Sequence, residues 1–76
     1  MDPSCVARLI KSGIPGAVVQ VRSDDNVHFQ ASVVATAFAS KNTLARHRMV
    51  YAALGSAMGD EIHALSLRTA TPDEQA

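Results

Sequence analysis

The sequence predicts an α+β domain of order αββαβ, a three-stranded mixed sheet with its helices packed on one face. Three observations predict it. Two runs of strand-forming residues, Ala17 to Arg22 and Val27 to Ala37, are separated only by Ser23-Asp24-Asp25-Asn26, a spacing that makes an antiparallel hairpin. Leu44, His47, Tyr51, Leu54 and Met58 then recur at intervals of three and four, the stripe of an amphipathic helix. Ile62 to Thr69 follows as a third strand. If it neighbours the second strand, the helical crossover makes the two parallel.

Each element has local punctuation. Asp2 is placed to cap a first helix that has Pro3 at its first position, with Val6, Leu9 and Ile10 on one face. Gly13 and Pro15-Gly16 end it. The short polar side chains of Ser23 to Asn26 satisfy their own backbone and tolerate left-handed geometry. On the second strand Phe29, Ala31 and Val33 alternate with His28, Gln30 and Ser32. Phe38 to Asn42 reads as a loop, and Asn42 or Thr43 caps the second helix. Gly55 and Gly59 weaken that helix's end. Pro72 ends ordered pairing, so residues 70–76 are expected to be a flexible tail of a single 1–76 domain. The expected core is Phe29, Val33, Leu44, Leu54, Leu65 and Leu67.

A chain of 76 residues buries only about 60% of its unfolded surface, so a partner or a second copy would help to stabilise it. Homodimerisation of the free chain stays open. Seven basic and seven acidic residues balance, which argues against a generic polyanion binder. Lys41, Arg46 and Arg48 nevertheless form a run with no acid between Asp25 and Asp60. Cys5 is the only cysteine and cannot form an internal disulfide, which fits a reducing compartment. No stretch approaches the roughly 20 apolar residues of a membrane span, and Met1-Asp2-Pro3-Ser4 carries no basic region, so no secretory signal is expected. The expectation is a cytoplasmic protein without membrane association.

His63 and His28 are the residues most suited to chemistry. Each is the second residue of a predicted strand, Ile62-His63-Ala64 and Val27-His28-Phe29. Parallel neighbours start at the same end of a sheet, about 4.8 Å apart, so the two imidazoles are candidates to meet at one edge; the register decides which face each takes. Neutral imidazole is a common metal ligand, but two ligands leave a closed site incomplete, and a metal held there would be shared with another molecule. The competing readings are a strand-end histidine satisfied by a backbone carbonyl for His63 and an exposed hairpin residue paired with Asp24 or Asp25 for His28. His47 shares the stripe with Leu44 and Tyr51 and reads as packing. Cys5, among Val6, Ala7 and Leu9, reads as a buried inert thiol. No nucleophile context or Gly-rich phosphate loop appears, so the chain is not expected to be an enzyme.

Val27-His28-Phe29-Gln30, Arg46-His47-Arg48-Met49-Val50-Tyr51 with Leu54, and Ile62-His63-Ala64-Leu65-Ser66-Leu67 closing in Thr71-Pro72-Asp73-Glu74 resemble the BolA-like family, from Val18 to Glu74. The short hairpin looks most like the short-loop bacterial members of the IbaG or YrbA type. The resemblance implies a fold similar to class II KH domains and partnership with monothiol glutaredoxins carrying a Cys-Gly-Phe-Ser motif. It also implies a [2Fe–2S] cluster bridged between the two proteins, with the glutaredoxin cysteine and the glutathione thiol on the far side. His63 matches the family's histidine ligand. The resemblance implies a second ligand from the region between the first two strands, where Ser23 to Asn26 holds neither Cys nor His; either His28 serves, or the site has a single protein ligand on this side. No cluster is expected to stay tightly bound to the isolated chain. The family's Phe-x-Gly-Lys-Ser loop stands here as Phe38-Ala39-Ser40-Lys41-Asn42, without the glycine. The leading expectation is therefore an iron–sulfur assembly or trafficking adaptor. The alternative is a KH-like nucleic-acid-binding transcriptional regulator using Lys41, Arg46 and Arg48, whose binding would be weak and steeply salt-dependent.

Overall fold

The structure, a computed structural model, describes residues 1–75. Its elements run α1 (Pro3–Gly13), β1 (Val18–Arg22), β2 (His28–Val34), a 3-10 turn (Thr36–Phe38), α2 (Thr43–Leu54), a short kinked turn (Ala57–Asp60), β3 (Ala64–Ala70) and a final helical turn (Pro72–Gln75). The strands form one sheet in the order β1-β2-β3. β1 and β2 are antiparallel, and β2 and β3 are parallel, the mixed sheet that the element order requires.

The caps are those the sequence signals. The Asp2 carboxylate accepts the N–H of Cys5 at 3.0 Å with Pro3 at the first helical position. The Asn42 side chain accepts the N–H of Ala45 at 2.9 Å. Each satisfies one of the orphan donors of a helix start. Gly55, at φ +57°, ends α2 in a backbone region that side chains disfavour.

The helices cover one face of the sheet. Phe29, Ala31 and Val33 alternate inward along β2 and join Val19, Val6, Ile10, Ile14, Val50, Leu54 and Ile62 in the core. Gly13 has a packing role rather than a stop role. A Cβ there would lie 2.4 Å from the Cβ of Ala53, so glycine is what lets α1 close onto α2, while Ile14 caps the helix.

Several expectations change. The buried residues of α2 are Arg46, Val50 and Leu54, whereas Leu44 is 58% exposed and Tyr51 39% exposed. The helix is thus turned from the predicted Leu44–Tyr51 stripe, with Leu54 on the seam common to both. Apolar residues lie almost all round α2, so periodicity leaves its phase ambiguous, and the close contact at Gly13 and Ala53 selects it. Leu65 and Leu67 are half-buried beside the core. The second strand stops at Val34, and Phe38, read as loop, is fully buried.

Residues 70–75 are folded where a tail is expected; residue 76 lies outside the described residues. Ala70 pairs with Val34, and the Glu74 carboxylate accepts from both terminal nitrogens of Arg46 at 2.6 and 2.9 Å. Thr71 and Glu74 exchange hydrogen bonds at the start of the final turn, 3.1 Å from the Thr71 N–H to Glu74 and 3.3 Å from the Glu74 N–H to Thr71 Oγ1. This reciprocal capping pattern is legible as Thr-x-x-Glu. Among the described residues no helix is long and apolar enough to cross a membrane.

Candidate metal-ligating strand ends

The β1–β2 turn is built around two small polar side chains. Ser23 Oγ donates to the carbonyl of His28 at 2.6 Å and accepts the N–H of Asn26 at 2.9 Å. Asn26 takes the left-handed φ of +60° that asparagine tolerates. Asp25 Oδ1 accepts the backbone N–H groups of Val27 at 3.0 Å and His28 at 2.8 Å. Its Oδ2 lies 2.7 Å from His28 Nδ1. The backbone and ring donors of His28, then the Val27 N–H, hold the Asp25 carboxyl far below the usual carboxylate range, because all of them favour the charged form.

This arrangement selects a tautomer. An ionised carboxylate only accepts, so Nδ1 carries the proton and Nε2 of the neutral ring keeps its lone pair. Nε2 has no hydrogen bond among the described residues. A carboxylate that orients an imidazole in this way is the usual support of a metal-ligating histidine. His28 lines an open concavity of about 370 Å³ with Arg22, Ser23, Gln30, Ala64 and Ser66.

His63 stands at the same end of the sheet. It is exposed, in the bend just before β3, and its backbone N–H donates to the carbonyl of Val27 at 3.0 Å. The ladder pairs His28 with Ala64, so His63 is offset from His28 by one residue. Successive strand residues project to opposite faces, and His63 is not among the residues lining the concavity at His28. The shared strand end expected from sequence is present; the shared face is not. Among the described residues, no group of three or more His, Cys, Asp and Glu side chains could hold a metal ion. His63 and His28 stand as separately accessible imidazoles at one end of the sheet.

The other candidates lie elsewhere. His47 and Cys5 are half-buried on α2 and α1, so Cys5 is less enclosed than expected. Of the basic run, Lys41 and Arg48 are exposed, but Arg46 is buried. Besides its pair with Glu74, Arg46 donates from Nε to the carbonyl of Phe38 at 3.2 Å, and its guanidinium lies 5.7 Å from the centroid of the Phe38 ring. Its charge is used inside the fold, which removes it from the nucleic-acid set of Lys41, Arg46 and Arg48. Charge run alone does not reveal this; the Thr71-Glu74 capping pattern is the one sequence signal that an acid is being positioned nearby.

The fold is shared with known proteins. Residues 13–74 match the family described as BolA-like protein. Chloroplastic protein BOLA1 of Arabidopsis thaliana is 40% identical over 53 residues, 70% of this chain and 33% of that protein. The DNA-binding transcriptional regulator BolA of Vibrio cholerae is 40% identical over 47 residues, 62% of this chain and 44% of that protein. The chain thus spans about a third to a half of the length of these curated relatives. A solved bolA protein homologue from Coxiella burnetii superposes with a TM-score of 0.89 at 41% identity, covering 99% of this chain and 96% of the other.

Proposed function

Since the chain belongs to the BolA-like family, we propose that it is a non-enzymatic adaptor for iron–sulfur cluster assembly or trafficking in the cytoplasm. In this reading a [2Fe–2S] cluster is its cargo, shared with a monothiol glutaredoxin of the Cys-Gly-Phe-Ser type and with glutathione. The observation that carries the reading is the incomplete donor set at one sheet end. His63 is exposed there, His28 is oriented by Asp25 with Nε2 unoccupied, and no third ligand stands beside them among the described residues. Such a site holds a cluster only as half of a bridge. Imidazole in place of thiolate on one iron raises a cluster's potential and makes ligand release sensitive to protonation, which suits transfer rather than storage.

Within this reading His63 is the primary ligand. The one-residue offset makes His28 a weaker companion, since both rings reach one iron only if one of them swings round the strand end. Anaerobic copurification with a monothiol glutaredoxin and glutathione tests the adaptor reading. A mixed complex with a histidine-ligated visible and paramagnetic signature is expected. His63→Ala should remove that signature while the proteins still associate, His28→Ala should weaken it less, and Cys5→Ser should leave it unchanged. A His63→Ala complex spectroscopically identical to wild type overturns the ligand assignment, and failure to form any cluster-bearing complex overturns the adaptor reading.

The similarity to the DNA-binding transcriptional regulator BolA of Vibrio cholerae favours a second reading, a nucleic-acid-binding regulator. With Arg46 held by Glu74, only Lys41 and Arg48 of the basic run are free to meet phosphate. Binding through them should show a salt slope reduced by about one unit for each of the two charges removed.

A further inference from the structure

The uncovered face of the sheet carries an ordered polar pattern that the cluster reading does not use. The register sets its rows. Arg22 pairs with Gln30 and Gln30 with Ser66; Gln20 pairs with Ser32 and Ser32 with Arg68; Val18 pairs with Val34 and Val34 with Ala70. Arg22 and Arg68 therefore stand diagonally across the three strands, their Cα atoms about 12 Å apart by strand spacing and rise. An open groove of about 750 Å³ runs between them, floored by Gln20, Gln30, Ser32 and Ser66.

Both guanidiniums are exposed, and neither has a carboxylate partner among the described residues. Arg22 donates only to the side-chain oxygen of Gln30, at 3.1 Å. No residue of the three strands is acidic. Asp24 and Asp25 share the adjoining concavity with Arg22 at the hairpin end, and Asp25 is engaged by His28. The groove is thus lined by two cations and no acid, with amides, hydroxyls, Ala31 and Leu67 between them.

We propose that this face is a docking groove for an extended acidic peptide segment of a protein partner. Two carboxylates a few residues apart along an extended chain match the diagonal spacing of Arg22 and Arg68. Gln20, Gln30, Ser32 and Ser66 supply both donors and acceptors for a peptide backbone, which phosphate-rich ligands do not need. No Phe, Tyr or Trp lines the groove, so it lacks the usual platform for stacking the bases of single-stranded nucleic acid. The proposal does not depend on metal ligation, because every group in it is present in the metal-free chain.

The test titrates the isotope-labelled, metal-free protein at low ionic strength with a capped ten-residue peptide of alternating Glu and Ser, and separately with an oligothymidylate of equal length. The peptide should shift the amides of Gln20, Gln30, Ser32 and Ser66. Arg22→Gln and Arg68→Gln should each weaken it about fivefold, the scale of an exposed ion pair. The double variant should lose detectable binding, and Arg22→Lys or Arg68→Lys should bind better than its Gln counterpart. Arg8→Gln, on the outer side of α1, should bind as wild type. Shifts confined to α2, equal weakening by Arg8→Gln, tighter binding of the oligonucleotide through the same arginines, or no peptide binding overturns the proposal.

Discussion

Arg46 and Glu74, 28 residues apart in sequence, are joined by two parallel hydrogen bonds of 2.6 and 2.9 Å between guanidinium and carboxylate. The pair ties the final turn to α2 and lays the guanidinium over Phe38. A charge that the sequence offers to an external partner is thereby turned into an internal clasp.

That clasp predicts a pH dependence. The Arg46 guanidinium, then the Thr71 N–H, hold the Glu74 carboxyl at about 2 against an ordinary 4.5. A group whose folded pKa is depressed contributes stability above its unfolded pKa and loses it as pH falls through the folded value. The wild-type melting temperature should therefore fall between about pH 4.5 and about pH 2. Glu74→Gln should melt several degrees lower at neutral pH and fall less steeply in that window. Parallel melting curves for the two proteins would assign the acid sensitivity elsewhere.

The phase of α2 predicts unequal leucines. Leu54 is 3% exposed and Leu44 58% exposed. Leu54→Ala should cost roughly 2–5 kcal/mol, as buried leucine truncations do. Leu44→Ala should stay within about 0.5 kcal/mol of wild type. Urea unfolding of the two variants measures this directly, and comparable losses would restore the predicted stripe.

The helix contact predicts intolerance at Gly13. An added methyl would meet Ala53 at both Cβ, 2.4 Å away, and Cα, 2.9 Å away. Overpacking of this kind costs roughly 1–3 kcal/mol, more than the helix propensity that alanine adds. Gly13→Ala should therefore destabilise the domain, and a melting temperature at or above wild type would show that α1 can slide away without cost.

The Asp25–His28 pair predicts a tautomer. Asn in place of Asp25 can still accept from the backbone N–H groups of Val27 and His28 through its oxygen, but its amide cannot accept from Nδ1. In nitrogen-15 spectra of the imidazole, the neutral wild-type ring should carry its proton on Nδ1. Asp25→Asn should shift the population towards the Nε2–H form, the commoner one in free imidazole side chains, with the hairpin intact. An unchanged tautomer would leave the ring's orientation to some other contact.

The sequence by itself determined the order of elements, the hairpin at Ser23 to Asn26, the caps at Asp2 and Asn42, and the two histidines at one end of parallel strands. All of these are written within a few residues: turn chemistry, capping oxygens and alternation act over a single turn or strand. Only the tertiary structure decided the rest. The offset that separates His28 from His63 follows from how β2 and β3 pair across the long crossover, and a one-residue change there moves a side chain to the other face. The burial of Arg46 depends on Glu74 arriving from the far end of the chain. The rotation of α2 away from Leu44 and Tyr51 depends on Gly13 accepting Ala53. Each is a contact between segments remote in sequence, chosen by how the whole domain packs; local pattern marks at most one partner, as the Thr71-Glu74 capping pattern marks the acid.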